Sequence, residues 1–551
     1  MKPLISLLPL LPLFIPLIGA PVAWMMPQTH RADQIRRWWH ASVLFVTCLL
    51  LLIGPLYNDK IVELPFQTVL GSGESLVFSL DSVGRTFALL LTGALAAVSL
   101  SSLARPLERF EAVLSLVIAG ASVGVSAASN LLTLCLFWGL MDVALLGLGL
   151  VHVPEESIPH TLRNGAINLA SIVILVAVTV LATLEQTEAH WWSNLSGLPL
   201  QLLMVAALLR LGIYPLPGSV NRRWEGFAVS VCTGGYIWLR IAGAHGGALP
   251  GAEWLSVVMW IVLLITGVLT ALSPDFATSL PYIVLNHMAI LVLAPLLDTQ
   301  TALGVIVATA LNLALCLALL RVDLRVRPLP LLKRWVRLPL VLALASLAGW
   351  PFTLGFYSRW TLLATGWQQG WHNGVLVGAI AFALTSIPLW QRFFQLRREV
   401  REDRFPRWAV TAAVGIACLL AFLLIISGIA ISVLRVVPLG LTQDFPTSSL
   451  AGLWPGSIRI FGALLLTVFV VPFFGSYALH RLRRRIPARA SAWLDTPSAV
   501  LELNWLYVSI EMILVRVRNL VEQVLLAVEE SFYLGWILLW GLVLLFYFAG
   551  R

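Results

Sequence analysis

Ala206-Ala207-Leu208-Leu209-Arg210-Leu211-Gly212-Ile213-Tyr214-Pro215-Leu216-Pro217 places a permanent cation inside an apolar run and then interrupts that run with two prolines. Arginine keeps its proton in proteins, so it cannot discard its charge to suit an apolar setting. A charge at membrane depth is costly and normally faces a protein interior or a water-filled path. Broken helices at that depth are tolerated where they line a cavity or pack against protein. The stretch is a transport-type signal.

The surrounding composition agrees with it. Of 551 residues, 59% are hydrophobic and 11% charged, with a mean hydropathy of +0.90; an average soluble domain carries roughly a quarter charged residues. Apolar runs near bilayer-spanning length, about 17–25 residues each, recur near 4–26, 40–56, 83–104, 111–128, 130–151, 165–184, 198–214, 227–243, 254–273, 281–297, 301–321, 338–364, 374–391, 409–434, 458–478 and 531–549. The pattern predicts an all-α polytopic membrane protein of about 14–16 transmembrane helices.

Basic residues give the orientation. One set of alternate loops carries Arg31, Arg36 and Arg37; Arg105 and Arg109; Arg222 and Arg223; Arg325, Arg327, Lys333, Arg334 and Arg337; Arg392 to Arg407; and Arg481 to Arg489. The opposite set carries Lys60 and, at helix ends, Arg435 and Arg459. The positive-inside rule then predicts a cytoplasmic location for the rich loops, an outside N-terminus and residence in the plasma (inner) membrane. The net charge of +9 is thereby topological and not a nucleic-acid-binding face. The first run reads as a retained helix and not as a cleaved signal peptide.

No cofactor motif accompanies the spans. Cys48, Cys135, Cys232, Cys316 and Cys418 lie apart in apolar segments, and the nine histidines form no i, i+4 pair. Gly71-Ser72-Gly73 is too short for a phosphate loop. The expectation is no cofactor, no metal and no catalytic site of the chain's own. Within 57–82, Val62-Glu63-Leu64-Pro65-Phe66 and Leu76-Val77-Phe78-Ser79-Leu80 flank Gly-Ser-Gly and predict an extracellular hairpin. Residues 502–526, with Glu511, Arg516, Arg518 and Glu522 among Leu, Ile and Val, predict an amphipathic helix along the membrane or a partner.

Arg210 has an echo about 150 residues on: Ala348-Gly349-Trp350-Pro351-Phe352-Thr353-Leu354-Gly355-Phe356-Tyr357-Ser358-Arg359-Trp360 also joins an apolar run, a proline break and one arginine. Corresponding broken helices in two halves point to a repeat-built transporter core. Ser346 to Arg359 resembles the AGxPPxxGFxSK stretch of the antiporter-like membrane subunits of respiratory complex I, multisubunit cation/proton antiporters and membrane-bound hydrogenases. Leu208 to Pro217 resembles the AKxxxxPxH helix of that family, Leu136 to Met141 its FxWELM helix, Asp275 to Tyr282 its DLKRLLAYS segment, and Phe78 to Asp81 the segment before its third helix. The match covers about 76–392 in the family's order, and the C-terminal part is similar to the long version of these subunits.

The resemblance implies two inverted five-helix repeats, 111–243 and 254–391, each with a broken helix, after N-terminal helices in 1–110 and before C-terminal helices in 392–551, with the amphipathic segment 502–526 and a last span 531–549. It further implies proton or Na⁺ movement along a polar axis, driven by other subunits of an NADH:quinone oxidoreductase-like or hydrogenase-like complex. The departures are specific: the family's Glu falls on Gly139, its central Lys on Arg210, its second-repeat Lys on Arg359, and its basic pair after Asp275 on Ala277 and Thr278. Only Lys2, Lys60 and Lys333 are lysines, none inside a predicted span. A relay that cycles a lysine between charged and neutral cannot run unchanged through arginine.

Four residues are candidates for an ion pathway. Asp142 lies three residues after Gly139, about one turn along, either as a substitute carboxylate paired with Arg210 or as half of a structural ion pair. Arg210 lines a cavity or anchors the fold. His287 relays protons near neutral pH or fills a polar helix interface. Arg359 is a pathway charge or a side chain that snorkels to an interface. Asp275, Asn168 and Asn312 are expected to hydrogen-bond between helices. The expected partners are other membrane subunits, the lipid bilayer and H⁺ or Na⁺. The function classes left open are an ion-translocating subunit, a non-conducting scaffold paralogue, and a subunit of an inorganic-carbon or anion transport complex.

Overall fold

The computed structural model describes residues 8–53, 61–65, 75–103, 107–151, 158–184, 195–213, 224–245, 249–273, 276–323, 338–395 and 407–430, with isolated positions between 509 and 523. Among these the chain is helical apart from one short strand pair. The helices are α1 (Leu11–Met25), α2 (His30–Ile53), α3 (Ser82–Ser101), α4 (Arg109–Ala127), α5 (Leu131–Leu150), α6 (Ile158–Leu184), α7 (Gly197–Leu211), α8 (Trp224–Ala244), α9 (Ala252–Leu272), α10 (Phe276–Leu297), α11 (Thr299–Asp323), α12 (Leu338–Ala348), α13 (Leu354–Gln368), α14 (His372–Gln395) and α15 (Arg407–Ile429).

Eleven of them are long and apolar enough to cross a membrane, and α1, α7 and α12 are shorter apolar helices. In a bilayer each backbone N–H and C=O needs an internal partner, which the helix supplies along its own length. This is a multi-pass membrane protein. The described helices follow the predicted runs, but α2 starts at His30, ahead of the predicted 40, α6 starts at Ile158, ahead of the predicted 165, and two further differences concern α10 and the run 338–364. The run 338–364 is two helices, because the chain turns at Gly349 and Phe352, both with positive φ (78° and 65°). Helix α10 begins at Phe276, ahead of the predicted 281, and carries Pro281 and Pro295 inside it.

The chain divides into two compact units, Met1–Arg485 and Ile486–Arg551. In the first, α11 is a central element that packs against α3, α10, α12, α13 and α15, and α9 lies between α10 and α14. In the second, Ser509, Met512, Val515, Arg516, Arg518, Asn519, Glu522 and Gln523 are helical. The rest of the amphipathic segment 502–526, the runs 458–478 and 531–549, Asp275, Pro215 and Pro217 lie outside the described residues.

Strands β1 (Val62–Pro65) and β2 (Ser75–Phe78) pair antiparallel with Val62 opposite Phe78 and Leu64 opposite Leu76. The pair is tied to the start of α5. Val77 N–H donates to Thr133 Oγ1 at 3.0 Å, Ser129 N–H to Val77 O at 2.9 Å, and the N-cap Asn130 uses Nδ2 on Ser75 O at 2.7 Å and Oδ1 on Thr133 N–H at 3.0 Å. The α5 N-terminus is thus capped and docked by the same side chain.

Candidate functional site

Helix α5 brings Asp142 about 17 Å along a helix roughly 30 Å long, near its middle. One face of α5 (Trp138, Met141, Asp142, Leu145) is buried. Leu136, Leu140 and Val143 are exposed, and Gly139 is half-buried with open space where its Cβ would stand. The position aligned with the family's Glu therefore borders the outward stripe of the helix, whereas Asp142 points into the bundle.

Helix α7 supplies the cation. Arg210 is its penultimate residue and is fully buried (0% exposed). The helix stops because Gly212 adopts φ 66°, donating its N–H to Leu208 O and Leu209 O at 3.2 and 3.0 Å. A cation beside these last carbonyls is favoured by the helix dipole.

Arg210 Nη1 donates to Asp142 Oδ1 in a buried ion pair. Its Nε donates to Thr233 Oγ1 at 3.5 Å, and its Cζ lies 5.6 Å from the Trp138 ring centroid. Thr233 in turn donates to Val229 O at 2.6 Å. It sits within Ser230–Gly234, a π-helical turn in α8, a distortion common at functional sites. Gly234 permits the approach, since a Cβ there would stand 3.0 Å from Leu211 side-chain atoms and 3.2 Å from Leu211 N. Asp142 Oδ2 and Arg210 Nη2 are buried without a partner among the described residues, so the pair has unused capacity on both sides.

Arg359 has a different environment. It is 2% exposed and reaches back across the break in α12–α13. Its Nη1 donates to Ala348 O at 2.8 Å and Ser386 Oγ at 3.5 Å; its Nη2 donates to Leu347 O at 2.7 Å and Thr385 Oγ1 at 3.4 Å. Its Cζ lies 4.9 Å from the Phe382 centroid. The cation closes the C-terminal carbonyls of α12, and no carboxylate bonds to it among the described residues. It does not snorkel to an interface.

The two arginines are placed differently: Arg210 lies in the last turn of α7, whereas Arg359 lies near the start of α13 and reaches back to the C-terminal carbonyls of α12. Only Arg210 also has a carboxylate. Asp142 is the one buried carboxylate among the described residues.

The other candidates are dispersed. His287 in α10 is fully buried; its Nδ1 pairs with Ile283 O at 2.8 Å and its Nε2 has no described partner. No described hydrogen bond links it to Asp142 or Arg210. Asn312 of α11 accepts Ser346 Oγ at 2.6 Å and Cys316 Sγ at 3.4 Å, which ties α11 to α12. Asn168 of α6 is buried, with an unpartnered Oδ1, while its neighbour Ser171 bonds Ala206 O of α7 at 3.1 Å.

Two features escaped the sequence reading. Thr233 gave no signal, because the π turn that aims it is a backbone event. Arg240, a second cation inside an apolar run, pairs with Asp81, the N-cap of α3, and lies 5.1 Å from the Tyr236 centroid. The rule that singled out Arg210 would also have found it. Among the described residues no group of three His, Cys, Asp or Glu side chains is placed to hold a metal ion.

No protein-family model matches the sequence, and no curated protein matches it by sequence. Solved structures do match in fold. A chain of the Mrp complex from Dietzia sp. DQ12-45-1b superposes with a TM-score of 0.69 at 18% identity over 95% of this chain. This chain spans 63% of the length of that one. A chain of the membrane-bound sulfane sulfur reductase, an archaeal respiratory membrane complex, gives 0.68 at 16% identity, covering 98% of this chain and 99% of its own. A chain of respiratory complex I from Thermus thermophilus gives 0.60 at 17% identity, covering 76% of this chain and 98% of its own. The chain thus has the fold of chains from these three complexes.

Proposed function

We propose that this chain is a membrane subunit of a multisubunit energy-coupling complex and takes part in proton translocation, with Asp142 as the exchangeable carboxylate. The observation that carries the reading is the Asp142–Arg210 pair: the one buried carboxylate among the described residues, held by a charge that cannot titrate and keeping one oxygen free. Arg210 stabilises ionised Asp142. A proton that reaches the free Oδ2 neutralises the carboxylate and loosens the pair. Arg210 then leans on the α7 C-terminal carbonyls and Thr233, and departure of the proton restores the pair. Arginine here sets the charge state of a neighbour and carries no proton itself.

The finer organisation belongs to the same proposal. Two inverted repeats, 111–243 and 254–391, surround the axis; the arginine-rich loops face the cytoplasm and the N-terminus the outside of the inner membrane. The partners are other membrane subunits that supply the driving reaction.

One observation favours a second reading, a non-conducting scaffold. Arg359 is committed to backbone carbonyls, so the second half presents a static charge where the first presents a pair. The test is proton movement by the whole complex in proteoliposomes. Asp142→Asn is expected to abolish it with assembly intact. Normal pumping by Asp142→Asn and by Arg210→Ala, in assembled complexes, would overturn the carrier reading in favour of the scaffold.

A further inference from the structure

Helix α6 buries a single stripe: Asn168, Ser171, Leu175, Val178 and Ala182 recur at steps of three and four, while Leu169, Val173 and Val176 between them are exposed. Its contacts fix the register against α5. Thr179 Oγ1 lies 3.3 Å from Cys135 Sγ, and further back a Cβ on Gly165 would stand 2.7 Å from Leu146. The two helices therefore run antiparallel. Asp142, one turn before Leu146, falls level with the stretch of α6 one turn after Gly165, where Asn168 stands.

The same stripe also meets α7. Ser171 Oγ donates to Ala206 O at 3.1 Å, and Arg210 follows Ala206 by one turn. Asn168 is thereby placed on the seam between α5 and α7, at the level of the ion pair that bridges those two helices. It is buried and its Oδ1 has no partner among the described residues; Arg210 Nη2 has none either. One is a neutral acceptor and the other a charged donor.

A guanidinium released by Asp142 cannot shed its charge, so its freed arm needs another acceptor. Thr233 Oγ1 already takes Nε. An amide oxygen holds a cation less firmly than a carboxylate does. It can receive Arg210 and give it up again once Asp142 is ionised.

We infer that Asn168 is the positioning residue of a two-place switch. Arg210 rests on Asp142 while that carboxylate is ionised and turns to Asn168 Oδ1 when Asp142 is protonated. The proton stays on Asp142 and the charge on Arg210; only hydrogen bonds are exchanged. The switch rests on the reading of Asp142 as the exchangeable carboxylate.

Asp142→Val imitates a partner that has let go of the cation. The purified full chain is unfolded with sodium dodecyl sulfate in mixed micelles, and the folded-to-unfolded ratio is compared for wild type, Asn168→Leu, Asp142→Val and the double variant. Asn168→Leu is expected to lower the ratio at least about tenfold more in the Asp142→Val background than in wild type, the weight of one hydrogen bond to a charged group. A residue that only fills space costs the same in both. A second comparison does not depend on Asp142→Val folding. Asn168→Asp moves the carboxylate to the other side of Arg210 and is expected to raise the ratio of Asp142→Asn at least about tenfold. Equal costs in the two backgrounds, or no rescue, would overturn the assignment. In proteoliposomes of the whole complex, Asn168→Leu is expected to slow proton movement at least about tenfold with assembly intact. Wild-type rates in that variant, with Asp142→Asn inactive, would overturn the switch alone, whereas normal pumping by Asp142→Asn would overturn the carrier reading on which it rests.

Discussion

The Asp142–Arg210 pair makes an asymmetric prediction. Asp142→Asn keeps the side-chain volume but leaves Arg210 in a site whose other side-chain contacts are Thr233 and the face of Trp138. Arginine cannot shed its proton, so the uncompensated charge is expected to cost about 3–5 kcal/mol. Arg210→Met keeps most of the bulk and strands the carboxylate instead. Asp142 can take up a proton and become neutral, so the loss is close to one charged hydrogen bond, about 1.5–3 kcal/mol. The double variant has neither charge but leaves the amide introduced at position 142 buried without its partner, so a net cost of about 1–3 kcal/mol is expected. The cycle should then show a coupling of roughly 2 kcal/mol or more between positions in direct contact. Unfolding by sodium dodecyl sulfate in mixed micelles, followed by circular dichroism for wild type, both single variants and the double, measures all four corners. Costs that add to within about 0.5 kcal/mol, or a larger loss for Arg210→Met than for Asp142→Asn, would refute the reasoning.

Other sites give simpler expectations. Arg359→Met strips the Leu347 and Ala348 carbonyls of their charged donors and should cost about 3 kcal/mol or more, read as lost thermal stability, with proton movement per surviving complex retained; an unchanged melting point would contradict its role as the tie across the break. Gly355→Ala drives a Cβ into Ser346 O, backbone against backbone, and should lose about 1–3 kcal/mol or more, whereas Gly139→Ala meets open space and should be neutral or slightly stabilising through helix propensity; equal expression and melting of the two variants would count against the packing at the break. Thr233→Val removes the acceptor of Arg210 Nε and the donor to Val229 O, an expected loss of about 1 kcal/mol, measured in the same micelle titration.

Much of the architecture could be read before any coordinates, for one physical reason. A bilayer demands long apolar helices, and length plus hydropathy reveal them. The limits of that reading are equally physical. Hydropathy bounds 338–364 as one apolar run, yet its break is legible in Gly349 and Pro351; what hydropathy does not register is that Gly349 and Phe352 turn the chain with positive φ. Asp142 and Arg210 stood out as charges in apolar runs. The function of Arg359 at the break did not, because its partners are backbone carbonyls, which every residue carries. Thr233 was invisible because a π turn changes which way a side chain faces without leaving a compositional mark.

The tie at Arg359 also shapes the electric landscape of the second half. The α12 carbonyls accept from both of its Nη atoms but offset only about half an elementary charge, and no described carboxylate bonds to it to cancel the rest. Half a charge raises the energy of a cation 10 Å away by roughly 1 kcal/mol at an effective dielectric of 20, a several-fold drop in occupancy. The residue that staples the broken helix therefore also leaves a positive field in its surroundings, which disfavours any nearby cation and favours any nearby anion.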